Sequence, residues 1–204
     1  MITAKDVQAL RQKSGAGMMD AKRALQDAEG DVGKATELLR ERGLAAAAKR
    51  TDRAQTEGAI GSYLHQQAGR AVIGVLVELA AETDFVAKSA VFQKAANDLA
   101  MHIAAARPTW VRREEVPEDT LAKEREIIAA QARNEGKPEQ IIDKIVAGRV
   151  GSFYRDNVLY DQVFVRSEEF EGTVAELVQQ LGIQMGENIS VARFSRLQVG
   201  QGAG

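Results

Sequence analysis

The chain has 204 residues, with 27 Lys and Arg against 29 Asp and Glu, a formal net charge of −2, and 45% hydrophobic residues. That length and balance give one large domain or two small ones able to bury a real core, and the near-neutral charge argues against a broad nucleic-acid surface, which needs clustered positive charge. The absence of cysteine excludes disulfides, thiolate metal sites and a cysteine nucleophile, and no apolar run reaches the roughly 18 residues that span a bilayer.

The opening MITAKDVQAL has no apolar stretch of the signal-peptide kind, so a cytoplasmic, mostly helical protein is expected. Residues 1–53 hold 11 Lys and Arg against 8 Asp and Glu, which suggests a separable N-terminal module with its own partner surface. Three short helices are predicted over residues 1–43. Thr3 caps the first, with Asp6 three residues on, and Val7 and Leu10 share its apolar face until Ser14 to Gly17 break it. The second runs from about Met18 to Ala28, with Met18, Ala21, Leu25 and Ala28 in one stripe. Gly30 and Asp31 turn the chain and cap the third, which Val32, Ala35 and Leu39 line and which ends on Gly43 as C-cap. Leu44 to Arg53 favours helix but is weakly amphipathic, and reads as part of a linker over residues 44–56.

From Glu57 the period becomes extended. Strands are predicted over Gly58–Gln66 and Arg70–Ala80, joined by a loop of hairpin length at Gln67 to Gly69. In the second, Ile73, Val75, Val77 and Leu79 point one way and Val72 and Leu76 the other, so both sheet faces are partly apolar. A long helix follows Lys88, with Phe92, Ala95, Leu99, Ile103 and Ala106 as its buried stripe and Pro108 at its end. Helices over about Glu118–Asn134 and Pro138–Asp156 come next, the second with Pro138 at its first helical position. Thr173 and Glu176 form a capping box for a last helix through Leu177, Leu181 and Met185, and a third strand runs from Ile189 to about Val199. The fold class is α+β: three helices, then a core with a small three-stranded antiparallel sheet packed by helices over residues 57–204.

Catalytic chemistry is thin. His65 and His102 have no companion ligands at metal-binding spacing. Ser62, His65 and Asp84 lack the nucleophile elbow of a triad, and Gly15-Ala16-Gly17 is followed by Met18 and Met19, not by the Lys and hydroxyl of a phosphate loop. Glu114-Glu115 and Glu168-Glu169 read as solvated loop carboxylates. No metal, cofactor or catalytic residue is predicted.

Two features stand apart. At Thr83-Asp84-Phe85-Val86, Asp84 as the helix cap would put Phe85 at the first helical position and Thr83 where a hydrophobic staple belongs. Phe85 then either folds back into the core or serves as an aromatic anchor for another protein. At Gly17-Met18-Met19, flexible apolar side chains open a helix, either as core or as a binding surface.

The segments SGAGMMDAKRAL, VELAAETDFVAK, NEGKPEQIIDKIVAGRV and GENISVARF with the terminal LQVG, in this order, resemble the translation elongation factor Ts family along nearly the whole chain. The length resembles the family's short form, which lacks the inserted coiled coil of longer members. Gln162-Val163-Phe164-Val165 departs from the family's usual QPFV by the missing Pro. The resemblance implies a ubiquitin-associated-like module over residues 1–43 and guanine nucleotide exchange on elongation factor Tu, bound in its GDP and nucleotide-free forms. It further implies that Thr83, Asp84, Phe85 and Val86 enter the GTPase near its Mg²⁺ site, and that Leu10, Arg11, Met18 and Met19 grip its nucleotide domain. The sheet with both faces partly apolar predicts a homodimer through its uncovered face, and with no cysteine that dimer must be non-covalent. Nucleic acid and membrane are not expected partners. A ubiquitin-type or peptide-binding adaptor using only the N-terminal module, and an RNA-binding accessory of the ribosome, are the alternatives, the latter weakened by 5% aromatic content.

Overall fold

The structure, a computed structural model, describes residues 2–201. Helix α1 (Ala4–Ser14) starts on a reciprocal capping box: the Asp6 N–H donates to Thr3 Oγ1 at 3.3 Å and the Thr3 N–H donates to the Asp6 carboxylate at 2.8 Å. It ends on Gly15 in the left-handed region. Helix α2 (Met18–Asp27) and helix α3 (Val32–Ala48), the latter capped by Asp31, pack with α1 around Val7, Leu10, Ala21, Ala24, Leu25, Ala35 and Leu39.

Gly43 is not the C-cap expected of it. Helix α3 continues through Leu44–Ala48 and is capped by Lys49, because nothing in that alanine-rich run breaks it. A Cβ on Gly43 would stand 2.8 Å from Ile183 Cγ2. Its small size serves close packing against a later helix, not a left-handed turn.

Strands β1 (Glu57–Gln67) and β2 (Arg70–Ala81) form an antiparallel hairpin, and β3 (Ser190–Gln198) adds antiparallel to β2, giving the order β1-β2-β3. Ala68 and Gly69 both have positive φ, as the right-handed twist demands of a two-residue hairpin turn. Val75, Val77 and Leu79 of β2 are buried beneath helix α5 (Ala90–Ala106), which lies across β1 and β2. That approach needs Gly61, where a Cβ would stand only 2.1 Å from the Ala96 carbonyl oxygen. The core gathers Phe92, Ala96, Leu99, Ala100 and Ile103 of α5 with helix α8 (Val174–Met185) and Val191. Ala95 and Ala106, expected in the α5 stripe, are only half-buried, and Ala96 and Ala100 take their place. Helix α8 carries the Thr173–Glu176 capping box.

Helices α6 (Glu118–Asn134) and α7 (Glu139–Asn157) pack on each other around Leu121, Ile128 and Val150. Pro138 precedes α7 at the cap instead of opening it, with an extended ψ of 138°. The pair makes a helical hairpin, built from the two helices the sequence predicts.

The segment around Val163 is held by a buried side chain that spacing left unassigned. The Val165 N–H donates to His102 Nδ1 at 3.3 Å, so the ring proton is on Nε2, which donates to Gln162 Oε1 at 3.0 Å. Gln162 Nε2 in turn reaches the carbonyls of Asp156 and Ala106. His102 is fully buried, and burial pushes its pKa down. The unfolded chain therefore takes up this proton first on acidification. Stability is full above about 6.5, the ordinary histidine value, and falls as the pH drops below it. Melting temperatures measured between about pH 7.5 and about pH 5 are expected to fall toward the acid end; a flat profile would contradict a neutral, buried His102.

Candidate partner-binding tip

Past Ala81 strand β2 leaves its partners: β1 begins opposite Ala81 and β3 opposite Ala80. The chain then turns into the four-residue helix α4 (Asp84–Ala87). Its N-cap is Thr83, not Asp84, and Thr83 Oγ1 accepts from the Val86 N–H at 3.4 Å. This shift of one place puts Asp84 first in the helix and Phe85 second. Val86 and Ala87 turn into the core, whereas Phe85 is 82% exposed. The ring does not fold back into the core.

Asp84 accepts from Lys88 Nζ at 2.6 Å, and that hydrogen bond and charge hold its carboxyl below the usual carboxylate range. At neutral pH the tip offers an ionised carboxylate beside a bare aromatic ring.

A carboxylate 104 residues away holds the turn beneath. Glu187, just after the left-handed Gly186 that ends α8, accepts from the Thr83 hydroxyl at 2.5 Å and from the Glu82 and Thr83 N–H groups at 3.0 and 3.2 Å. Glu82 accepts from the Asn188 N–H at 2.6 Å and from Arg53 Nη1 at 3.3 Å, contacts that hold its carboxyl low. Asn188 Nδ2 donates to the carbonyls of Thr51 and Arg53. The segment after α3 is thus pinned to the same turn that carries the tip. Sequence reasoning missed Glu82, Glu187 and Asn188; a Glu after a helix-ending Gly has no spacing that betrays a distant partner.

In the N-terminal helices, Met18 and Met19 are exposed, 46% and 61%, at the start of α2. Arg11 is exposed and lines an open cleft of about 390 Å³ with Gln8, Gln12, Gly15 and Gln184 of α8. Leu10, expected among the gripping residues, is 1% exposed and lies in the three-helix core, so it presents no surface. Val86 is likewise buried and supports the tip from beneath. Ser62, His65 and Asp84 each have a different partner: the Ser62 N–H goes to Asn97, His65 Nδ1 meets the Tyr63 hydroxyl, and Asp84 holds Lys88.

The model of the family described as "Elongation factor TS" matches residues 4–201. The chain belongs to the elongation factor Ts family. It is 50% identical over 202 residues to the elongation factor Ts of Moorella thermoacetica, covering 99% of this chain and 97% of that one. To that of Carboxydothermus hydrogenoformans it is also 50% identical, covering 99% and 91%. To that of an Anaeromyxobacter species it is 51% identical over 201 residues, covering 98% and 90%. Membership places this chain among the elongation factors of protein biosynthesis. No described helix is long and apolar enough to cross a membrane.

Proposed function

We propose that this chain is a guanine nucleotide exchange factor for elongation factor Tu and that it works by differential binding, with no bond made or broken. The observation that carries the reading is Phe85, an aromatic ring held bare at a capped helix tip beside an ionised carboxylate. Such a pair suits insertion beside a bound Mg²⁺ and phosphate. Disturbing the metal removes a large charge that holds the phosphates, so GDP leaves faster. The coupling is reciprocal: GTP entering the emptied GTPase weakens its hold on the factor. Residues 1–43 act as the gripping module through Arg11, Met18 and Met19, with Leu10 holding their scaffold. Thr83 and Val86 support Asp84 and Phe85 in the same way.

Release of labelled GDP from elongation factor Tu, with and without this chain, tests the reading. Exchange predicts marked acceleration. A peptide-binding adaptor built on residues 1–43 would need nothing at Phe85 and would leave release unchanged.

A non-covalent homodimer through the sheet is part of the same proposal, with residues 57–204 as the dimerisation domain. The sheet face away from α5 carries Ile60, Leu64, Leu76 and Leu197, all exposed. On the same face they lie among Ser62, Ser195 and the Glu78–Arg193 ion pair, and exposed apolar side chains gathered on one sheet face suit burial sheet on sheet about a twofold axis. Leu76 is its central residue at 55% exposure, while Val72 is half-buried. Light scattering is expected to give twice the 22.1 kDa chain mass, and Leu76→Asp to return it to one, because an unpaired charge in an apolar interface is costly to desolvate. A single-chain mass for the unmutated protein at all concentrations would contradict the dimer.

A further inference from the structure

We infer that Glu187 is a positioning residue for exchange: its carboxylate fixes the turn that presents Asp84 and Phe85. The inference rests on the exchange reading above. The Glu82 and Thr83 N–H groups lie beyond the last ladder pairs of the sheet, so no strand can take them. One oxygen of Glu187 accepts both, extending the pairing past the end of β2 from outside the sheet. The other takes the only proton of the Thr83 hydroxyl. Pointing that proton at Glu187 turns a lone pair of Oγ1 toward the Val86 N–H, and the cap forms on Thr83 while the Asp84 carboxylate, itself of a capping type, goes to Lys88. A cap on Asp84 would rotate the following residues by one position and re-aim the ring. Glu187 thus selects which of two adjacent capping residues starts α4.

Glu187 could also serve only to stabilise the core, and a double-mutant cycle separates the two roles. At a temperature where every variant is folded, Glu187→Ala is expected to slow GDP release at saturating factor about tenfold. Against a Phe85→Ala background the same change should cost less than about twofold, because a misaimed tip without its ring has little left to lose. Glu187→Gln keeps one oxygen for the two backbone N–H groups but can no longer accept the Thr83 hydroxyl proton, so its rate should fall between those of the unmutated chain and Glu187→Ala. In the free chain, hydrogen exchange at the Glu82 and Thr83 amides should be slow and become fast in Glu187→Ala. An equal cost in both backgrounds, unchanged release in Glu187→Ala, or unprotected amides in the unmutated chain would each overturn the inference. If the unmutated chain fails to accelerate release, the exchange reading falls, and with it the role of Glu187 in exchange. Amide protection would still show whether Glu187 holds the tip.

Discussion

Phe85→Ala is expected to slow nucleotide exchange on elongation factor Tu about 30-fold or more and to leave the melting temperature of the free protein unchanged. The magnitude follows from truncating an aromatic anchor, which typically costs about 2 kcal/mol of binding or more. The unchanged melting temperature follows from exposure: a ring 82% open to water buries almost nothing on folding, so removing it leaves no cavity. Val86→Ala is the internal control. Its side chain packs into the core beneath the tip, so its loss is expected to lower the melting temperature. A Phe85→Ala protein that melts earlier yet exchanges normally would reverse the assignment of the ring.

Deleting residues 1–53 is expected to leave a folded core but to weaken binding to the GTPase by ~100-fold or more. Two surfaces tied in one chain gain that much from effective concentration alone, and the deletion removes Arg11, Met18 and Met19 together. The core survives because its apolar cluster shares no residue with the N-terminal cluster. The cut has three local costs: it uncovers Ile183, against which Gly43 packs, it takes from Asn188 the carbonyls of Thr51 and Arg53, and it takes Arg53 Nη1 from Glu82. Binding and circular dichroism of the truncated chain decide the matter. Undiminished binding would show that the grip is not in the N-terminal helices.

What was legible in the sequence was local. The capping boxes at Thr3 and Thr173 were readable because their partners are three residues away, and β1 and β2 because alternation is a period-two signal. What was not legible depended on distant contact. Gly43 looked like a helix end, and only Ile183, far along the chain, explains a glycine inside α3. Thr83 and Asp84 are adjacent and both can cap, so local chemistry could not choose between them. Glu187, 104 residues on, distinguishes their surroundings. Leu10 sits in the segment that the family resemblance assigns to the partner, yet the same apolar face closes the three-helix core. For Phe85, spacing offered both burial and exposure; packing of Val86 and Ala87 beneath it resolves the choice toward exposure.

On the proposed mechanism, Asp84 and Phe85 speed GDP release by disturbing the Mg²⁺ site of the GTPase. Stopped-flow release of a fluorescent GDP from elongation factor Tu, at saturating concentrations of this chain, tests it when run with Mg²⁺ and again after chelation. A large acceleration is expected with Mg²⁺ and a smaller one once the metal is already gone. Equal acceleration in both conditions, or none in either, would contradict that mechanism.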